Sequence, residues 1–224
     1  MKTIWITFFL SISLSTGVSC AEKLPATEKE KFSYAVGVQL AQNIAAQQIK
    51  VDLDSFLQGI RDIISATPLK VSVEELQQTL VNYRDQELKK QEVSAQANKT
   101  AGEKFLAANK TKEDVVSIPG GLQYKVLRKG EGKKPGPEDK VLVHYRGSLL
   151  SGKEFDSSYS RGEPMTLSLQ KVIKGWQIAL PLMQTGSKWQ LYVPSELAYG
   201  PKAAGPDIGP NSTLIFEIEL LSIN

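Results

Sequence analysis

Tyr145, Phe155, Trp176 and Tyr199 fall within one stretch of about sixty residues, and Phe216 follows near the end of the chain. Two charged residues sit among them at a telling spacing: Asp156 directly follows Phe155, and Arg161 lies five positions on, within reach of a bidentate ion pair. Attack by a side chain needs an activated nucleophile and base, a metal or a cofactor. The chain has one histidine and one cysteine. It therefore lacks a histidine metal cluster and any intrachain disulfide. Walker, His-Glu-x-x-His and Cys-x-x-Cys motifs are absent. Gly130-Glu131-Gly132 begins like a dinucleotide fingerprint, but Pro135-Gly136-Pro137 stands where the helix should open, so it reads as a turn. His144 alternates with Val143 and Tyr145 along a strand and reads as structural. Each aromatic alone reads as core. Together with the Asp-Arg pair they describe a dry apolar pocket with a few orienting polar groups. The chemistry open to such a pocket is a change in the environment of a bond, not its cleavage.

The elements that must carry these residues change in texture at about Val115. From there glycine and proline are frequent and β-branched residues alternate. Strands are predicted at 122–128, 140–149, 165–169, 188–193 and 213–222, with one amphipathic helix over 171–182. In the last strand Leu214, Phe216, Ile218 and Leu220 share a face. This half is α+β: an antiparallel sheet with a helix on one face.

Residues 27–114 read as helical. Thr27-Glu28-Lys29-Glu30 is a capping box, followed by Phe32, Val36, Leu40 and Ile44 on one face. Asp52 or Asp54 caps a second helix through Ile64, ended by Thr67-Pro68. Ser72 opens a third helix with Glu74 and Glu75 in its first turn, running to about Asn109. Beyond Leu88 this helix turns polar (KKQEVSAQANKTAGEK), which predicts a stalk bridging through solvent. The apolar faces before it are too small for a core alone, so a homodimer through residues 27–88 is expected in preference to a closed monomeric bundle.

Met1-Lys2, the apolar run Ile4–Leu14 and the small residues up to Ala21 have the form of a secretory signal. The run is about half the ~20 residues of a membrane span. Cys20 is either lipidated or removed; Gly17 stands where lipoprotein signals usually have Leu, which favours plain cleavage. The domain reading is 1–21 signal, 22–71 helical dimerisation module, 72–114 long connecting helix, and 115–224 sheet domain. Charge is balanced, with 13 basic and 14 acidic residues in 21–114 and 13 and 10 in 115–224, which excludes a nucleic-acid partner. Asn98, Asn109 and Asn211 each begin an Asn-x-Ser/Thr triplet, a motif too common to carry weight.

VHYRGSLLSGKEFDSSYSRGEP, VIKGW, YVPSELAYG and IGPNSTLIFEIELL, in that order, resemble the FKBP-type peptidyl-prolyl cis-trans isomerases over about Gly121 to Leu221. The helical part, the signal and GLQYKV resemble the macrophage infectivity potentiator group of exported bacterial isomerases. The resemblance implies a half-open antiparallel sheet wrapped around a short helix. It implies Trp176 as pocket floor; Tyr145, Phe155, Leu167 and Phe216 as walls; Val172 and Ile173 as lining, with the Ile173 amide offered to substrate; and Ile208 on the flap. Asp156, paired with Arg161, and the rim hydroxyl of Tyr199 are the residues implied in catalysis. Met165 stands where an aromatic wall is often found. Substrates would be proline-containing unfolded or partly folded polypeptides, and macrolide inhibitors would bind; no cofactor or metal is implied. The location would be the periplasm or outer membrane. Two other readings stand beside it: a dimeric chaperone whose client binding outweighs isomerisation, and a macrolide-type binding module with little activity.

Overall fold

The computed structural model describes residues 24–224 apart from Gln48; the signal segment and Cys20 lie outside the described residues. The chain divides into two compact units between Thr67 and Pro68.

In the first unit α1 (Glu28–Ala46) begins on the expected capping box: Thr27 accepts from the Glu30 amide, and the Glu30 carboxylate accepts from the Thr27 amide at 2.9 Å. Asp52, not Asp54, caps α2 (Leu53–Ile64) by accepting from the Ser55 amide. The helix stops at Ile64, short of Thr67, and Ala66 takes a positive φ. Phe32, Leu53, Ile63 and Ile64 are exposed on these helices.

The second unit opens with α3 (Val73–Asn109), capped by Ser72 as expected. The strands are β1 (Val116–Ser117), β2 (Gln123–Arg128), β3 (Lys140–Leu149), β4 (Glu154–Ser157), β5 (Met165–Ser168), β6 (Lys188–Val193) and β7 (Leu214–Ile223). They form one antiparallel sheet ordered β1-β2-β6-β7-β3-β4, with β5 also on β3. The short helices α4 (Ser158–Arg161) and α5 (Lys174–Ala179) complete the unit. Sequence periodicity misses β1, β4 and α4, and extends α5 over 171–182. Only six of those twelve residues are α-helical; a 3₁₀ turn at Leu169–Lys171 lies ahead of the helix and another at Leu180–Leu182 follows it directly. Pro181 explains the tight exit, since it has no amide to continue the ladder. The buried face of β7 is the expected one: Leu214, Phe216, Ile218 and Leu220 share one core with Trp176, Ala179, Leu180 and Met183.

The polar half of α3 is not a stalk solvated on all sides. One face of it docks on the sheet domain. The Asn98 amide donates to the Pro210 carbonyl at 2.9 Å, and Asn211 donates to the Ala95 carbonyl. Phe105 packs on Tyr192, and buried Asn109 donates to Gln123 at 2.9 Å while Gln123 donates to the Leu106 carbonyl. The three Asn-x-Ser/Thr asparagines are thus all seam residues. Gly102 is buried here, and a Cβ at this position would run into the Thr213 side chain. Gly102→Val is expected to lower unfolding free energy by about 1–3 kcal/mol through overpacking. Ala107→Val, on the exposed face, should cost only about 0.6 kcal/mol of helix propensity. Denaturant titration of the two variants checks this; equal costs would mean the seam contributes nothing.

Candidate active site

Two segments share one edge of β3. β5 pairs with residues 140–143, and β4 with residues 146–148. His144 and Tyr145 fall in the gap between them. Ser158, fully buried at the start of α4, replaces the missing ladder partner: its hydroxyl accepts from the Tyr145 amide at 2.8 Å and donates to the Tyr145 carbonyl at 3.2 Å. Buried backbone groups need such partners, so a short helix in mid-sheet is what fixes Tyr145. His144 Nδ1 lies 3.0 Å from the same Ser158 oxygen, and its ring stacks on Tyr159, which fits a structural histidine.

From that position Tyr145 points to a cavity of about 260 Å³. Phe155 and Asp156 reach it from β4, Met165 and Leu167 from β5, Phe216 from β7, and Tyr199 from the turn before Gly200. Val172 and Ile173 reach it from the segment leading into α5, and Trp176 from α5 itself. Lys171 also lines the cavity, a residue that the sequence reading passed over. Arg161 does not line it but is bonded to two residues that do, and Ile208 lies in the adjoining core, 7% exposed, bridged to Ala204.

The rings form a continuous edge-to-face chain. Tyr145 meets Trp176 at 5.3 Å and 79°, Trp176 meets Phe216 at 5.1 Å and 81°, and Phe216 meets Phe155 at 5.7 Å and 88°. This geometry sets positive ring edges on negative faces and is worth about 0.5–1.5 kcal/mol per pair beyond area burial. Trp176 is 5% exposed, and its indole nitrogen has no oxygen or nitrogen partner. Two glycines make room for the chain. A Cβ on Gly175 would strike Val193, and one on Gly147 would lie 2.6 Å from Phe155 and 2.9 Å from Phe216.

One polar cluster sits on this apolar wall. The Tyr145 hydroxyl donates to Asp156 Oδ2 at 2.5 Å, Arg161 pairs with Asp156 Oδ1, and the second guanidinium nitrogen donates to the Tyr145 oxygen at 2.8 Å. The Asp-Arg pair is therefore not bidentate, because one arm of the fork is taken by the tyrosine. Burial pulls the Asp156 carboxyl upward, but the Tyr145 and Arg161 hydrogen bonds and the Arg161 charge outweigh it, leaving the carboxyl below the usual range. Burial first, and then the bond to Asp156, push the Tyr145 phenol up. Arg161 is held more firmly protonated by its bonds to Tyr145 and Asp156. All three groups are locked in their ordinary charge states.

Around α5 the Val172 carbonyl accepts from the Gln177 side chain at 2.8 Å, and the Ile173 carbonyl accepts from the Trp176 amide at 2.9 Å. Among the described residues the Ile173 amide makes no hydrogen bond, and neither does the Tyr199 hydroxyl, on a side chain 43% exposed. Both donors stand at the cavity unspent. The arrangement can hold a small apolar ring, offer two donors to nearby carbonyls and exclude water.

Comparison with known proteins agrees with this geometry. Residues 131–221 match the family model of FKBP-type peptidyl-prolyl cis-trans isomerase, and residues 29–126 match that of the domain amino terminal to it. The outer membrane protein MIP of Legionella longbeachae is 39% identical over 96% of this chain and 94% of its own. The peptidyl-prolyl cis-trans isomerase Mip of Coxiella burnetii is 41% identical over 96% of each. The crystal structure of FkpA from Escherichia coli superposes with a TM-score of 0.63 at 34% identity, covering 90% of this chain and 99% of that one. With helices ahead of an antiparallel sheet wrapped on a short helix, an aromatic cavity between them, and relatives matched over nearly their whole length, the chain belongs to the FKBP-type peptidyl-prolyl cis-trans isomerase family.

Proposed function

We propose that the chain is an exported peptidyl-prolyl cis-trans isomerase that speeds X-Pro rotation in folding polypeptides by desolvating the amide. The observation that carries this is the continuous edge-to-face chain of Tyr145, Trp176, Phe216 and Phe155 along a cavity whose one carboxylate, Asp156, is committed to Tyr145 and Arg161. Amide resonance opposes rotation by about 18–20 kcal/mol. Before proline, cis lies only about 0.5–1 kcal/mol above trans, yet interconversion takes tens to hundreds of seconds. Twisting the bond removes resonance and lowers its polarity. Water favours the planar dipolar state, so a dry wall favours the twisted one by comparison.

In this reading Trp176 is the floor under the prolyl ring. Tyr145, Phe155, Leu167 and Phe216 are walls, Met165 and Val172 line the mouth, and Ile208 supports the flap. The Ile173 amide and the Tyr199 hydroxyl hold carbonyls beside the rotating bond. Asp156, held by Arg161, faces the swinging carbonyl and tunes the rate without giving or taking a proton. Macrolide inhibitors of the family would occupy the same cavity.

Residues 1–21 serve as the export signal, 22–71 as a helical dimerisation module, 72–114 as the connecting helix and 115–224 as the isomerase domain, placed in the periplasm or at the outer membrane. The exposed Phe32, Leu53, Ile63 and Ile64, and Leu80 on α3, support a second copy covering residues 27–88. The same exposed faces favour a chaperone role beside isomerisation.

A proline-peptide isomerisation assay with sedimentation of the full chain tests both halves. Catalysis by a dimer is expected; a chain that leaves the peptide at its spontaneous rate would defeat the reading. Tyr199→Phe, which removes a donor with no internal partner, should cost about tenfold or less in kcat/KM, the worth of one hydrogen bond, and leave stability unchanged. A loss of a thousandfold would make the hydroxyl a reacting group.

A further inference from the structure

Met165 stands apart from the other methionines. Met183 is fully buried in the core, and Met1 lies outside the described residues. Met165 lines the cavity, is 42% exposed, and presents its sulfur 3.9 Å from both the Tyr145 hydroxyl and a guanidinium nitrogen of Arg161. A thioether accepts such bonds only weakly. The donors it faces are the two that hold Asp156.

We propose that the Met165 sulfur is an oxidation site through which peroxide lowers the activity of the pocket. In the step, the thioether attacks hydrogen peroxide; the O–O bond breaks, an S–O bond forms and water leaves. Sulfur is oxidised and peroxide reduced, and the product is methionine sulfoxide, reversible by a sulfoxide reductase. The new oxygen is a strong acceptor placed among the Tyr145 and Arg161 donors. It competes with Asp156 for them and turns an apolar lip of the cavity polar. Exposure decides the selectivity: peroxide reaches Met165 directly and reaches Met183 only if the core opens.

The inference rests on the isomerase reading, and the test separates the two. The full chain, shown first to catalyse proline-peptide isomerisation untreated, is exposed to hydrogen peroxide and sampled in time by peptide mass mapping and by rate. One oxygen is expected on Met165 well before Met183. The rate should fall in step by about two- to tenfold, the scale of one lost thioether contact, and return on treatment with methionine sulfoxide reductase and dithiothreitol. Met165→Leu, measured against its own untreated rate, should lose nothing on the same exposure. Met183 oxidised as fast as Met165, an oxidised Met165 with undiminished rate, or an equal loss in Met165→Leu would each overturn the proposal. An untreated chain without activity would sink the isomerase reading instead.

Discussion

Trp176→Ala should lower kcat/KM for a proline peptide about 100-fold, equivalent to ~2.7 kcal/mol of transition-state stabilisation. The indole is the middle link of the aromatic chain, edge-on to Tyr145 at one side and Phe216 at the other. Deleting it opens the cavity downward and admits water to the place where the prolyl ring would lie. On the proposed mechanism, polar solvation of the planar amide is thereby restored and the rate advantage falls. Because Trp176 is also buried core, its loss should cost about 3–5 kcal/mol of stability. Trp176→Phe keeps a ring in place and controls for folding. It should retain most of the stability and lose about tenfold or less in rate, ~1.4 kcal/mol. Peptide kinetics beside thermal unfolding measure both; an Ala variant that folds and turns over normally would refute the floor assignment.

Gly147→Val should cost nearly as much in rate without removing a pocket residue. Gly147 pairs across the ladders with Phe216 on β7 and Asp156 on β4, so it lies under both aromatic walls at once. A Cβ there meets the two rings at 2.6 and 2.9 Å, too close for van der Waals contact. Neither ring can withdraw easily, since each is held edge-to-face by the other. They must tilt into the cavity, which at about 260 Å³ already lies below the roughly 300–1,000 Å³ of drug-sized sites. The expected result is at least a tenfold loss in kcat/KM, carried mainly by KM, with overpacking costing about 1–3 kcal/mol of stability. Wild-type affinity in this variant would show that the walls move freely and that the cavity is not preformed.

Much of this was legible beforehand, and the misses share a cause. Alternation located β3, β6 and β7 to within a residue, because each has one face on a core and the period of two survives. The caps of α1 and α3 were legible because Thr27 with Glu30, and Ser72, must satisfy amides locally. What local pattern could not show was the gap in the β3 ladder: α4 has four residues, and its purpose, the Ser158 hydroxyl on the Tyr145 backbone, is a contact across thirteen positions. The docked face of α3 was hidden by composition. Asn98, Gly102, Phe105 and Asn109 recur at intervals of four, three and four, a helix face, but hydropathy gives three of these residues no weight. Their fit to Pro210, Thr213, Tyr192 and Gln123 is one of shape and hydrogen bonding. The resemblance supplied the pocket residues, and eleven side chains line the cavity; Lys171 escaped because a lysine beside an apolar turn reads as solvated.

The most direct test is the pH dependence of kcat/KM, measured with the full chain and a proline peptide that carries no ionisable side chain. The Asp156 carboxyl is held below its ordinary value of about 3.9 and the Tyr145 phenol above its ordinary value of about 10, so Asp156 stays ionised and Tyr145 protonated from about pH 5 to 9. Should rotation depend on desolvation alone, the profile is flat across that window. A bell, or a single step with an apparent pKa inside it, would mean that a titrating side chain takes part in the reaction, and a pocket that only changes the surroundings of the bond could not produce it.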